Sequence, residues 1–166
     1  MIGNETQAVT VRSFVSGDAQ AFHDLNMEWL TAFFHAEAKD EATLSDPEGT
    51  ILAPGGQILL AGLAGQTVGC VALLPMPDGA YEVAKMAVAP EAQGRGVGRL
   101  LMSAAIAWAR GNGVRRLYLE SNARLAPALR LYESAGFRHL PPHARPVSPY
   151  ARADVFMEML LEGGAP

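Results

Sequence analysis

The sequence predicts one domain of mixed α/β class, in which strands and helices alternate and the strands in the middle pair as hairpins. The chain has 166 residues, of which 49% are hydrophobic and 18% charged, and this composition is typical of a single folded domain. Alternating and amphipathic segments follow one another in the order β-α-(α)-β-β-β-α-β-α-β. The central hairpins argue against an all-parallel, doubly wound sheet.

The spacing of apolar and turn residues sets the bounds of the predicted elements. The first segment alternates and is rich in valine and threonine, which favours an opening strand. A segment that Pro47 interrupts, residues 40–52, is interpreted as a short helix or a loop. The predicted strands cover residues 7–15, 57–63, 68–74, 81–88, 114–120 and 154–161, and the predicted helices cover 19–34, 97–111 and 126–135.

Composition excludes several classes of protein. The net charge of −4 is opposite to that of a general nucleic-acid binder. No apolar run approaches the ~20 residues of a membrane span, and residues 1–10 lack the pattern of a signal peptide. The single cysteine, Cys70, cannot form an internal disulfide and suits a reducing compartment. We therefore expect a cytoplasmic protein with neither a membrane nor a nucleic acid as its partner.

The charge is unevenly distributed along the chain. Residues 1–84 carry a net charge of −9 and residues 85–166 a net charge of +5. Ten of the eleven basic residues in the second half are arginine, which prefers planar or phosphate anions. This asymmetry predicts an anionic ligand for the second half and a cationic partner for the first.

A glycine-rich loop between a predicted strand and a predicted helix is the most informative segment. Gly94, Gly96 and Gly98 alternate there, and without Cβ atoms the backbone can approach a ligand closely. The free amides of the first helical turn form an anion site, to which Arg95 and Arg99 add positive charge. The alternative is that the glycines only shape a turn.

Two known phosphate-binding motifs fit this loop less well. A Walker loop requires a lysine that is absent here. A dinucleotide fingerprint is the closer rival, because Glu120 follows at about the spacing of its ribose-binding acid. However, the glycine spacing differs from that fingerprint, and too little chain follows to complete its sheet.

Two segments together resemble the GNAT (Gcn5-related) N-acetyltransferase family. Residues 93–98, Gln-Gly-Arg-Gly-Val-Gly, are similar to that family's Gln/Arg-x-x-Gly-x-Gly/Ala pyrophosphate motif, and residues 128–137 are similar to its Leu-Tyr…Gly-Phe segment. The resemblance covers most of residues 80–140. It implies one N-acetyltransferase domain over residues 8–164, with a mostly antiparallel sheet flanked by helices. The implied activity is direct transfer of acetyl from acetyl-CoA to a primary amine.

The resemblance also implies which residues bind acetyl-CoA. The amides of the glycine loop would wrap the pyrophosphate, and main-chain groups of the preceding strand, which splays from its neighbour in this family, would contact the pantetheine arm. The implied contacts are Met86, Ala87, Val88, Gln93, Gly94, Arg95, Gly96, Val97, Gly98, Arg99 and Asn122.

Two side chains are candidates for catalysis. Tyr132 matches the tyrosine that protonates the departing thiolate in this family, a role that a phenol can fill; its alternative role is a core aromatic. Glu82, eleven positions before Gln93, resembles the general base of some members, because an ammonium must lose a proton before attack. Its alternative role is an ion pair with Lys85 or an arginine.

The remaining polar residues are assigned more general roles. The four histidines are scattered without metal-ligand spacing, so no metal is expected, and Cys70 is assigned to the core. Glu28, Glu37, Asp40 and Glu41 are expected either to attract a cationic amine or to form a solvated acidic face.

Three further readings stay open at this point. The apolar C-terminal strand is a candidate for pairing across a homodimer. A non-catalytic acyl-CoA sensor and a small dinucleotide-binding oxidoreductase are the alternatives to an acetyltransferase.

Overall fold

One mixed sheet forms the centre of the fold, with its strands in the order β1-β2-β3-β4-β5-β7-β6. The computed structural model describes residues 8–162. Its strands are β1 Thr10–Ser13, β2 Gln57–Leu63, β3 Gln66–Pro75, β4 Tyr81–Val88, β5 Arg116–Ser121, β6 Arg138–His139 and β7 Val155–Leu160. Its α-helices are α1 Ala19–Phe33, α2 Ala38–Ser45, α3 Val97–Gly111 and α4 Ala126–Ala135.

The predicted mixed, mostly antiparallel sheet is confirmed. Neighbouring strands pair antiparallel throughout the described chain except β4 and β5, which are parallel. The bounds of β2, β4 and α4 match the prediction. The opening strand is shorter than predicted, and residue 7 of that prediction lies outside the described residues, as do residues 163–164 of the predicted domain. Pro47 interrupts the segment of residues 40–52 as predicted, because it lies between the end of α2 and a π-helical turn at Glu48–Leu52.

The bounds of β5 and β7 differ from the predicted ones by one or two residues, and the C-terminal part of the sheet contains one strand that was not predicted. β6 was not predicted, because two residues are too short to show a periodicity. It pairs with β7 at Arg138–Glu158 and His139–Met157, while β5 pairs with the other edge of β7. The central part of β7 therefore has a partner strand on both sides and offers no open edge for pairing with a second copy. The homodimer stays a prediction.

Helices cover the two faces of the sheet. A Cβ on Gly69 would lie 2.9 Å from Val97 of α3, whereas the next residue, Cys70, has its Sγ 3.4 Å from Asn26 of α1. Successive strand residues point to opposite faces, so α1 and α3 lie on opposite sides. Cys70 is fully buried, as predicted, and burial raises the pKa of its thiol to about 12. None of the helices within residues 8–162 is long and apolar enough to cross a membrane.

The parallel strands β4 and β5 diverge close to the start of β4. The two strands pair only at Tyr81–Leu117 and Glu82–Tyr118. On its other edge β4 is bulged against β3, and Lys85 at the bulge has φ +54°, a conformation that is uncommon for a non-glycine residue. The bulge and the open ladder leave a gap in the middle of the sheet.

Candidate active site

A cavity of about 110 Å³ lies at the gap between β4 and β5. α1 and α2 cover one side of it, and α4 and the loop before β7 contribute to the rest of the wall. Trp29, Leu30 and Phe34 form an apolar wall next to carboxylates from the two strands, Glu82 and Glu120. Concave sites that combine an apolar wall with a few converging polar groups are typical of ligand-binding sites.

The glycine loop presents an uninterrupted series of free backbone donors. The amides of residues 94–99 have no acceptor among the described residues, since the first amide with a partner is that of Leu100, which donates to Gly96. Gly94 and Gly96 have φ of +78° and +79°, and a Cβ on either would meet nothing within 4 Å. The loop therefore combines open space with amides at the start of a helix, an arrangement that binds phosphate groups.

The side chains of the loop divide between solvent and core. Arg95 and Arg99 are exposed and make no ion pair within the described chain. Val97 is buried against the sheet and anchors the helix start. Gln93 donates from Nε2 to the carbonyl of Val88 at 3.2 Å, so its side chain holds the loop against the end of β4.

The other predicted acetyl-CoA contacts differ in whether they line the cavity or pack in the core. On β4, Met86 lines the cavity, whereas Ala87 is buried and Val88 packs against the core. Asn122 lines the cavity as well, but its side chain is engaged, donating to the Arg152 carbonyl at 2.7 Å and accepting from the Arg124 amide at 2.9 Å. The Asn122 side chain does not cap α4, because Leu125 occupies the N-cap position.

Tyr132 reaches the cavity from α4. The residue is half-buried, and its ring packs edge-on against Phe137, with 6.3 Å between the ring centroids. Its hydroxyl makes no hydrogen bond to the described residues, and it is not a fully buried atom. Burial of the residue raises the pKa of the Tyr132 phenol to about 12. This side chain therefore remains a neutral proton donor whose hydroxyl is free for a ligand.

The carboxylates of Glu82 and Glu120 lie on neighbouring strands and line the same cavity. Glu82 has no hydrogen-bond partner in the described chain, whereas Glu120 accepts from the Tyr118 hydroxyl at 2.9 Å and from the Ser148 hydroxyl at 2.6 Å. Burial, and then the negative charge of Glu120, raise the pKa of Glu82 to about 7. Lys85, one alternative partner for Glu82, is paired elsewhere. Glu82 is thus suited to accept a proton near neutral pH.

A buried ion cluster lines the same cavity as these carboxylates. Asp40 is completely buried, and it accepts from Lys85 at 2.6 Å and from Arg152 at 2.7 Å on both of its oxygens. Burial alone would raise the pKa of Asp40, but the hydrogen bonds from Arg152 and Lys85 hold it well below its usual range. Arg152 also pairs with Glu37 at 3.1 Å.

This cluster changes one expectation from the charge distribution. Two of the four acids expected to attract an amine, Glu37 and Asp40, are neutralised by cations of the protein, and the other two, Glu28 and Glu41, are exposed. The carboxylates that remain available in the cavity are Glu82 and Glu120. The sequence analysis missed Arg152 and Tyr150 as parts of the site and gave Asp40 a different role, because no local pattern connects these three residues.

Comparison with known proteins decides the family. The model of the acetyltransferase (GNAT) family matches residues 19–137. The chain belongs to the GNAT acetyltransferase family. It is also 32% identical, over 82% of its own length and 82% of the relative's, to the N-alpha-acetyltransferase RimI of Mycobacterium tuberculosis. Other curated acetyltransferase relatives are matched over 18% to 58% of their own length, so the chain spans only part of those proteins.

Solved structures of GNAT proteins share the fold. A GNAT-family acetyltransferase from Staphylococcus aureus has a TM-score of 0.84 at 18% identity, covering 93% of this chain and all of that one (100%). A GNAT-family acetyltransferase from Elizabethkingia anophelis, solved with acetyl-CoA bound, has a TM-score of 0.68 at 19% identity and covers 92% of this chain and 98% of that one. The expected single GNAT-like domain is therefore confirmed.

The GNAT assignment agrees with the geometry of the glycine loop. Pyrophosphate needs several converging donors and close backbone approach, and residues 94–99 supply six free amides beside Arg95 and Arg99. The residues present therefore fit the phosphates of acetyl-CoA. With the family established, a dinucleotide-binding oxidoreductase is not favoured, and neither is a sensor without catalytic groups.

Proposed function

We propose that the protein transfers an acetyl group from acetyl-CoA to a primary amine by direct attack within a ternary complex. The observation that carries this proposal is that a free phenol, Tyr132, and a free carboxylate, Glu82, line one cavity. That cavity lies at the gap beside β4. The name of the relative RimI, an N-alpha-acetyltransferase, supports an amine as the acceptor.

Each catalytic group acts at a defined atom. Glu82 accepts the proton that the ammonium loses, which frees the nitrogen lone pair to form a bond to the thioester carbonyl carbon. A main-chain amide in the region of residues 86–88 stabilises the negative charge on the carbonyl oxygen. Tyr132 donates a hydrogen bond and then a proton to the sulfur as the carbon–sulfur bond breaks.

The glycine loop and β4 hold the acyl donor in this scheme. The amides of residues 94–99, with Arg95 and Arg99, bind the phosphates, and the main chain at Met86, Ala87 and Val88 aligns the pantetheine arm. Gln93 stabilises the loop through Val88, and Asn122 shapes the wall on the β5 side. A cytoplasmic location and a homodimer remain predictions.

The proposed reaction is tested by following CoA thiol release from acetyl-CoA against a panel of amines and peptides, with mass spectrometry of the products. We expect thiol release that depends on the amine, with a mass increase of one acetyl group on the acceptor. Binding of acetyl-CoA without release of thiol to any amine would instead support a sensor.

Replacing each of the two carboxylates should separate their roles. The wild-type kcat/KM should fall as pH drops below about 7, because the base must be ionised. Glu82→Gln should lower kcat/KM about 100-fold at neutral pH and abolish this acidic limb. Glu120→Gln should keep the limb but move it to lower pH, because it removes the charge that raises the pKa of Glu82.

The opposite pattern would contradict the assignment. If Glu120→Gln abolishes the limb and Glu82→Gln leaves it in place, Glu120 is the base.

The pKa of Glu82 also predicts a change in stability with pH, because the folded state binds the proton of Glu82 more tightly than the unfolded chain does. Wild-type stability should therefore decline between pH 4.5 and about 7, and Glu82→Gln should remove that decline in chemical denaturation.

A further inference from the structure

Both cations that line the cavity, Lys85 and Arg152, are already occupied by protein groups. Lys85 is 8% exposed and donates to Asp40 at 2.6 Å, and Arg152 is 18% exposed and makes two hydrogen bonds to the same carboxylate. Arg152 also pairs with Glu37. The cluster of Asp40, Glu37, Lys85 and Arg152 thus contains two negative and two positive charges and is neutral as a whole.

Tyr150 covers the same two cations from the loop before β7. Its hydroxyl accepts from Lys85 at 3.1 Å, and its ring lies 4.8 Å from the Lys85 nitrogen and 4.4 Å from the Arg152 guanidinium. Cation–π contacts of this kind satisfy a charged group without an anion. A ligand carboxylate at either cation would therefore compete with Asp40 and Tyr150 for its positive charge.

The unpaired charge that remains in the cavity wall is negative. Among the described residues Glu82 has no hydrogen-bond partner, and Glu120 accepts hydrogen bonds only from the hydroxyls of Tyr118 and Ser148. Lys39 on α2 lies 5.7 Å from the Tyr150 ring, and its positive charge lowers the pKa of Glu82, but it is exposed and does not line the cavity. Above the pKa of Glu82, about 7, an ammonium is therefore attracted to this wall, whereas a carboxylate beside it meets like charge.

We propose that the acceptor is a primary amine with no carboxylate on the carbon that bears the nitrogen, and that Asp40 determines this specificity by occupying Lys85 and Arg152. The inference rests on the proposed acetyl transfer to an amine. The proposed specificity excludes free α-amino acids. It admits small amines and peptide amino termini, because both lack a charged group on the carbon that bears the nitrogen. Asp40 acts here as a positioning residue, since it holds both cations away from the acceptor.

The wild-type protein tests the substrate class directly. Matched acceptors are compared by kcat/KM: phenylalanine, phenethylamine and a phenylalanyl dipeptide amide, with the corresponding leucine set. Phenethylamine is the decisive comparison, because it differs from phenylalanine by lacking the carboxylate and its amine is no less basic. We expect phenylalanine to be at least about tenfold poorer than phenethylamine, since like charges repel in a partly desolvated site.

The peptide arm separates the two sources of such an amine. Turnover of the dipeptide amide above phenethylamine assigns a peptide amino terminus, and the reverse assigns a small amine. Equal use of phenylalanine and phenethylamine would overturn the inference while leaving the proposed function intact. If the enzyme releases no CoA with any of these acceptors, the proposed function itself is overturned.

Two variants test the role of Asp40. Asp40→Asn should release the cations and lower the preference for phenethylamine over phenylalanine about tenfold, with kcat/KM for phenylalanine rising. A purely structural role would reduce both acceptors equally and leave the preference unchanged. Glu41→Gln makes the same charge change at an exposed position of the same helix and should leave the preference at the wild-type value.

Lys85→Met keeps the test decisive if Asp40→Asn does not fold. Because Lys85 is occupied by Asp40, its loss should not weaken phenylalanine relative to phenethylamine. A selective loss of phenylalanine turnover in Lys85→Met would show that this lysine binds an acceptor carboxylate, and it would overturn the inference.

Discussion

Tyr132→Phe is expected to lower kcat about 100-fold, because the variant loses the proton donor to the departing thiolate. Its affinity for acetyl-CoA should stay within about threefold of wild type, since the ring remains and the glycine loop is untouched. The Tyr132 hydroxyl has no partner among the described residues, so its removal breaks no internal hydrogen bond. Steady-state kinetics together with acetyl-CoA binding by calorimetry measure both quantities.

Tyr81→Phe is a matched control for this prediction. Tyr81 loses the same atom, but its hydroxyl donates to the Gly55 carbonyl at 3.0 Å, away from the cavity. This variant should lose about 1 kcal/mol of stability while keeping the wild-type kcat. If Tyr132→Phe turns over at the wild-type rate while chemistry limits the reaction, the proton-donor role is wrong.

Asp40→Ala is expected to reduce the free energy of unfolding by about 3–5 kcal/mol at neutral pH, because it leaves two buried cations without their shared anion. The side chain also accepts from the Glu37 amide at 2.9 Å within a capping box at the start of α2. Glu41→Ala removes an exposed carboxylate from the same helix and should change stability by less than about 0.5 kcal/mol.

The pH dependence of the Asp40→Ala effect follows from the lowered pKa of this carboxyl. A carboxyl whose folded pKa lies below its unfolded value stabilises the protein above the unfolded value, and the stabilisation is lost as pH falls through the folded value. The difference between wild type and variant should therefore persist down to about pH 4 and shrink below it. A difference that grows on acidification in urea titrations would contradict the ion cluster as its source.

The glycine loop was the part of the candidate site most accessible from sequence. The free amides, the positive φ of Gly94 and Gly96 and the flanking Arg95 and Arg99 are all properties of one short segment. A strand followed by glycines and an amphipathic helix specifies that geometry locally. Similarly, the bounds of β2, β4 and α4 follow from local periodicity and turn residues.

The acceptor side of the site could not be predicted in the same way. Asp40 and Arg152 are separated by 112 residues, and they meet only because α2 and the loop before β7 pack on the same side of the β4 bulge. The acids near the first helices were expected to face a ligand or solvent, whereas Asp40 is completely buried. Charge along a sequence does not reveal which opposite charges will neutralise one another.

The sequence by itself determined the fold class and the glycine loop, because repeated periodicity and short motifs are local, and its resemblance to the GNAT family implied Tyr132 and Glu82 as catalytic candidates. Only the tertiary structure decided that Glu120 lies close enough to raise the pKa of Glu82 and that Asp40 occupies both cations of the cavity. Electrostatic interactions and burial depend on distances in space, and those distances exist only after the sheet and its covering helices have formed.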